Sequence, residues 1–176
     1  TATATDLVDA NPLIACVPPS GSSFPVGPTT VDCTVEDAAG NTASAAFTVT
    51  VVDATAPVVT LLGAAPLTHE AGTLFTDPGA TATDNVDGAL TPTLTANDVD
   101  AGTPGSYSVT WAATDSAGNT GSATRTVTVT DTVAPVLTLP ADITVNEDGA
   151  SGAAVVSFTA TATDLVDANP LIACVP

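Results

Sequence analysis

The eighteen residues TATATDLVDANPLIACVP, from Thr1 to Pro18, recur letter for letter from Thr159 to Pro176, a displacement of 158 residues. Chance does not produce identity of that length, so the chain reads as one period of a tandem repeat re-entering the next. A weaker half-period lies inside it. DAAGN from Asp37 returns as DSAGN from Asp115, DATAPVVTL from Asp53 as DTVAPVLTL from Asp131, and TATDLVD around Asp6 as TATDNVDG around Asp84, each 78 residues on. Each period is therefore expected to hold two related units of nearly 80 residues.

The Asp-x-x-Ala-Pro segments are expected to be the linkers, because proline cannot donate to a sheet ladder and so short a connection leaves little hinge. They divide the chain into the later strands of one unit (1–55), a complete unit (56–133) and the early strands of the next (134–176). The half missing from each truncated unit is assigned to the adjoining repeat. Alternation marks the strands. In Thr126-Val127-Thr128-Val129-Thr130 valine takes one face and threonine the other, and Tyr107, Val109 and Trp111 share one parity that should face a core. Short alternating strands between Gly, Pro, Asn and Asp turns, with no helical periodicity, predict an all-β, two-sheet sandwich.

Hydrophobic residues make up 44% of the sequence and charged residues 11%, so the chain can bury enough apolar surface to fold. No apolar run approaches the roughly 20 residues that cross a bilayer as a helix. Nineteen acidic residues stand against a single base, Arg125, a formal charge of -18 that repels nucleic acid and anionic lipid alike. Without lysine or glutamine, side-chain isopeptide and ester crosslinks are also ruled out. No signal peptide is visible, and the chain opens in mid-pattern at Thr1, which reads as a boundary within a longer product.

PSGSSFPVGPTTVDCTVEDAAGNTASAAFTVTVVD, from Pro19 to Asp53, resembles the hyalin repeat, an immunoglobulin-like module of extracellular and surface proteins. HEAGTLFTDPGATATDNVDG from His69 and GSYSVTWAATDSAGNTGSATRTVTVTD from Gly105 resemble the related immunoglobulin-like domains of bacterial surface proteins. The resemblance implies tandem immunoglobulin-like sandwiches, an extracellular or cell-surface setting, and adhesion or spacing roles without a catalytic constellation. It also implies a disulfide. Cys16 and Cys33 sit where hyalin-type repeats carry a cysteine pair, both on core-facing parity of neighbouring strands, with three free buried thiols as the alternative. Such a bond points to an oxidising compartment. Cys174 is the repeat copy of Cys16, and its partner is expected past the chain end, at the copy of Cys33. In the middle unit the half-period places Leu94 and Trp111 at the cysteine positions, so apolar packing is expected to replace the bridge. Tyr107, in TPGSYSV, resembles the tyrosine corner of such sandwiches.

In an immunoglobulin-like unit the incoming linker, the turn after the second strand and the turn before the last strand gather at one end. For the middle unit this brings together Asp53, Asp84, Asp87, Asp115 and Asn119. Several oxygen donors with no neutralising base suit a hard cation, and calcium is the natural occupant. Equivalent sets are Asp6, Asp9, Asp37 and Asn41 at the start, and Asp131, Asp164 and Asp167 at the next junction. The alternative is that these are solvated Asp and Asn turns. Asp98 and Asp100 are too short a fragment of an EF-hand loop and read as a turn. His69 reads as a solvated loop histidine and, with no second histidine, leaves no Ser-His-Asp triad to assemble.

Function follows as an expectation: a calcium-stiffened tandem array forming the shaft of an adhesin or extracellular filament, with neighbouring repeats of the same protein as partners and self-association into filaments open. A module binding glycan or protein is the alternative of another class, and an accessory domain beside a secreted enzyme a third.

Overall fold

The computed structural model describes residues 2–7, 12–149 and 152–175. Every regular element among them is a strand, as the alternation predicts. β1 (Leu13–Val17), β2 (Gly27–Glu36) and β3 (Thr42–Val51) form an antiparallel sheet in the order β1-β2-β3. Two further sheets follow. β4 (Val58–Leu61), β6 (Ala80–Asp84) and β7 (Gly88–Leu90) make one, in the order β4-β6-β7. β5 (Leu67–Glu70), β10 (Thr120–Thr130), β9 (Gly105–Thr114) and β8 (Thr93–Asn97) make the other, in the order β5-β10-β9-β8, with β5 running parallel to β10. Finally β11 (Val136–Thr138) pairs with β12 (Thr161–Thr163) as a two-stranded ribbon.

β4 packs across β9 and β10, so the sheets of residues 58–130 close face to face as a sandwich. Its core is Val109 (0% exposed), Val127 (0%), Val129 and Ala71, with Leu67, Phe75, Val99, Tyr107 and Trp111 packed around them. The inward parity read from the Thr-Val alternation is thus the observed one. The Tyr107 hydroxyl donates to the Thr103 carbonyl at 2.9 Å, tying the start of β9 to the loop before it as a tyrosine corner does. Leu94 faces Trp111 across β8 and β9, in the same place as Cys16 facing Cys33 across β1 and β2. Leu94 is nevertheless substantially exposed, and the Trp111 side chain turns to the core instead, where its Nε1 donates to Asp77 Oδ1 at 2.9 Å.

One local reading changes. His69 lies on β5, not in a loop, half-buried with its Nε2 3.2 Å from the Thr73 carbonyl and its ring edge-on to Phe75. Pairing with β10 extends the chain there, which the polar flank of His69 conceals in the sequence. Arg125, the single base, is 1% exposed inside the sandwich. Its Nε lies 2.8 Å from Asp77 Oδ2, and its two terminal nitrogens donate to the carbonyls of Ala64 and Gly79 at 2.8 and 2.9 Å. Arg125 shares parity with Val127 and Val129, so its inward direction was legible, but its partner was not.

Candidate metal centre at the incoming linker

The linker that enters the sandwich lies against the start of β10. A Cβ on Gly121 would stand 1.8 Å from the Pro57 carbonyl oxygen, so only glycine lets the linker pass this close. Just before it, Asp53 Oδ1 accepts from the Thr55 N–H at 3.0 Å, and the Asn119 side-chain amide donates to the Asp53 carbonyl at 3.2 Å. Asn119 belongs to the turn between β9 and β10, so the linker and that turn are held together by one side chain.

The same turn fixes Asp115. Its Oδ1 accepts from the Asn119 N–H at 2.7 Å and its Oδ2 from the Asn119 side-chain amide at 2.8 Å. Burial pushes the Asp115 carboxyl up, but these donations, with backbone N–H groups of Gly118 and Ala117, together hold it below the ordinary value. It is ionised at neutral pH although only 7% exposed. Across from it, the turn between β6 and β7 supplies two more carboxylates. Asp84 Oδ1 accepts from the N–H groups of Val86 and Asp87 at 2.7 and 3.0 Å. Asp87 accepts from the Ser116 N–H at 2.7 Å and the Ser116 hydroxyl at 2.8 Å, which locks the two turns to each other.

One oxygen from each of Asp53, Asp84, Asp87 and Asp115 lies within 4.8 Å of the others. Two of the group's oxygens, Asp53 Oδ2 and Asp84 Oδ2, are buried and accept no hydrogen bond. A buried carboxylate oxygen without a partner is costly, and four like charges this close repel by about 1 kcal/mol per pair even in bulk water. Arg125 is committed to Asp77 and neutralises none of them. The donor set is all oxygen, anionic and pre-oriented by turn hydrogen bonds, so it fits a hard divalent cation, calcium above all.

The other acidic sets are placed differently. Asp37 repeats the Asp115 turn, accepting from the N–H and side-chain amide of Asn41 at 2.8 and 2.7 Å, and hydrogen bonds led by the Asn41 amide lower its carboxyl. Asp6, Asp37 and Asn41 border one cleft, while Asp9 falls outside the described residues. Asp131 accepts from the Val133 N–H, Asp164 from those of Val166 and Asp167, and Asp167 from that of Asn169. Among the described residues these three form no converging carboxylate group. At that junction the contact is apolar instead: Val166 packs against the sandwich core, and Leu165 comes so close to Gly72 that a Cβ there would meet it at 2.6 Å. Glu70 adds a clamp that the sequence did not announce, accepting from the N–H and hydroxyl of Thr132 in the outgoing linker at 2.9 and 2.6 Å.

Cys16 and Cys33 form a disulfide, and Cys174 is a free, exposed thiol. No helix among the described residues is long and apolar enough to cross a membrane. A two-sheet sandwich with short acidic turns at its linker end, beside a disulfide-bonded sheet, defines an extracellular immunoglobulin-like module.

Residues 59–129 match the family "Bacterial surface protein, Ig-like domain", and residues 1–51 match the HYR domain. The chain thus joins a hyalin-repeat module to a bacterial-surface immunoglobulin-like module. Hyalin of Lytechinus variegatus is 39% identical over 131 residues, covering 68% of this chain and 24% of that protein. Hyalin of Strongylocentrotus purpuratus is 36% identical over 175 residues, covering 92% of this chain and 14% of that protein. The chain therefore spans at most about a quarter of the curated relatives it matches. Among solved structures, a lipoprotein of Bacteroides thetaiotaomicron overlaps 48% of this chain and 49% of its own at 27% identity and a TM-score of 0.38. The CBM51-2 and INT domains of Clostridium perfringens ZmpB, solved with GlcNAc, overlap 48% and 20% at 27% identity and a TM-score of 0.36. Overlap at that level defines no common function. The domain families and the disulfide put the chain at the cell surface or in the extracellular space.

Proposed function

We propose that the chain is a length of structural, adhesive stalk from a tandem-repeat surface protein, stiffened by calcium where its domains join, and not an enzyme. The observation that carries this reading is the meeting of Asp53, from the linker, with Asp84, Asp87 and Asp115, from two turns of the following sandwich. A cation held by all four would tie the linker to the domain, and Asn119 and Ser116 already orient the ligands for it. The surface-domain families support the spacer role. On this reading 56–133 is one domain, while 1–55 and 134–176 are the later and earlier parts of hyalin-repeat domains.

The gain is rigidity more than folding. An extracellular-type site with a dissociation constant of about 0.1–1 mM contributes only about 0.4–1.4 kcal/mol at roughly 1 mM calcium. That predicts a rise in melting temperature of about 2–10 °C. The test is thermal unfolding and low-angle scattering in EDTA and across a calcium titration. Melting temperature and maximum dimension should both rise, and Asp53→Ala with Asp84→Ala should abolish both changes. No response in the parent chain returns the acidic turns to solvated turns.

A further inference from the structure

The turn after β5 closes the far end of the middle sandwich, and each of its residues is tied down. The Ala71 N–H donates to the Thr130 carbonyl at 2.8 Å and the Gly72 N–H to the Ala101 carbonyl at 2.7 Å. The Thr73 hydroxyl donates to the Glu70 carbonyl at 2.7 Å. With φ at +75° and no side chain, Gly72 presents bare backbone as the floor of a shallow socket. Bonds within the sandwich fix that floor whatever sits on it.

The turn after β12 sits on it. Leu165 Cγ and Cδ2 lie 2.6 and 2.7 Å from where a Cβ on Gly72 would stand. Val166 is half-buried, and among the described residues it alone joins the sandwich core from beyond the outgoing linker. Ala71, at the rim of the socket, is 1% exposed. The linker between is held by Glu70 through Thr132, so one loop grips both the linker and the turn that follows it.

The matching turn of the middle unit is built alike but differs at one apolar position. Asp84 Oδ1 accepts from the N–H groups of Val86 and Asp87, as Asp164 Oδ1 does from those of Val166 and Asp167. Asn85 stands there in place of Leu165, and Val86 is 43% exposed. TDLVD, with leucine, recurs from Thr5, in the segment that matches the hyalin-repeat family, whereas TDNVD, from Thr83, belongs to the unit that matches the bacterial-surface family. The Leu-Val pair therefore marks the kind of module.

We infer that the loop Glu70–Thr73 is a socket that fixes, without a cation, which kind of module follows the sandwich: it seats the Leu165-Val166 turn of a hyalin-type module and rejects the Asn85-Val86 turn of its own kind. Leucine gains by covering Gly72 and Ala71. Asparagine in its place would give up water for a floor whose N–H groups are already committed to Thr130 and Ala101. The seat is apolar and needs no carboxylate neutralised, so removing divalent cations leaves it in place. The two joints of the middle sandwich are thus held by different physics. This goes beyond the calcium-stiffened stalk and does not require it.

The test is nuclear magnetic resonance of the 176-residue chain in EDTA. The Leu165 methyl groups should show Overhauser contacts to the Gly72 α-protons, and amides of β11 and β12 should report the same tumbling time as those of β9 and β10. Leu165→Asn installs the residue that the middle unit carries in an equivalent turn, and should abolish both signs. Val166→Thr, which keeps the shape and adds a hydroxyl, should separate the tumbling times in the same direction. Retained contacts between Val136 and Thr163, with unchanged Trp111 emission, show that ribbon and sandwich are intact in the variants. A parent chain without the Leu165 contacts in EDTA, or variants that tumble as the parent does, overturns the inference. Calcium added afterwards tests the other reading separately, through β2 and β3. If these join the tumbling of β9 and β10 only with calcium while β11 and β12 never do, the calcium-held joint stands and the socket falls. If β11 and β12 are coupled in EDTA and β2 and β3 ignore calcium, the socket stands and the calcium-held joint falls.

Discussion

Asp77 and Arg125 form a buried ion pair, Nε to Oδ2 at 2.8 Å, between the loop before β6 and the middle of β10. Asp77 also takes the Trp111 indole on its other oxygen and, through Oδ1, the Gly79 N–H at 2.7 Å. A chain with one base among nineteen acids has placed that base in its core. Asp77→Ala leaves the guanidinium charge buried against carbonyls alone, and is expected to cost about 3–5 kcal/mol. Urea unfolding followed by Trp111 emission reads the loss. Asp77→Ala combined with Arg125→Met should recover much of it, because the unpaired charge, not the absent bridge, is the main cost.

Gly121 is required by the Pro57 carbonyl and not by its own backbone conformation. Gly121→Ala should destabilise the sandwich by about 1–3 kcal/mol, the usual range for overpacking. Because the linker must lift away to admit the methyl group, the calcium binding proposed at Asp53 should weaken in the same variant. Calorimetry of calcium binding beside chemical unfolding checks both. Unchanged affinity with lowered stability would mean that the linker does not need its observed position to hold the cation.

Glu70 carries the pH dependence most simply. The Thr132 hydroxyl, then its N–H, hold the Glu70 carboxyl below its ordinary value. The clamp therefore contributes stability in full above the unfolded-state pKa, and the contribution is lost as pH falls through the folded value. Thr132→Ala should move the Glu70 carboxyl up towards its ordinary value. Parent and variant stabilities measured in EDTA should differ at neutral pH and converge in acid. A constant offset at all pH values assigns Thr132 a packing role only.

Reduction of the Cys16–Cys33 bond, which spans 17 residues, should cost the first sheet about 3 kcal/mol by the chain-entropy estimate. Hydrogen exchange should rise in β1–β3 while Trp111 emission stays unchanged. An equal loss of protection in β9 and β10 would make the two sheets one cooperative unit.

Much of the fold was legible because its signals are local. The parity of Tyr107, Val109, Trp111, Val127 and Val129 is a property of the extended backbone, in which alternate side chains share a face whatever lies across from it. The Asp-Asn turns and the linker prolines act within a few residues. The convergence of Asp53, Asp84, Asp87 and Asp115 is long-range and was legible for a different reason: the fold class alone brings the incoming linker and two turns of a sandwich to one end. What escaped were side chains whose partners lie far along the chain. Asp77 sits 48 positions from Arg125, and Glu70 sits 62 from Thr132. His69 was misplaced because its strand exists only through pairing with β10.

The sequence by itself determined the period, the half-period and the all-β alternation, since each follows from spacing or from the pleat, while the cysteine pair was implied by the resemblance to the hyalin repeat. Only the tertiary structure decided that Asp53 Oδ2 and Asp84 Oδ2 are buried without partners, that Arg125 is neutralised inside the core, and that Val31 is buried while Phe47 beside it on the next strand stays exposed. Those three facts depend on how two sheets close over each other, and the energy of a charge or an apolar surface is set by what surrounds it in space and not by its neighbours along the chain.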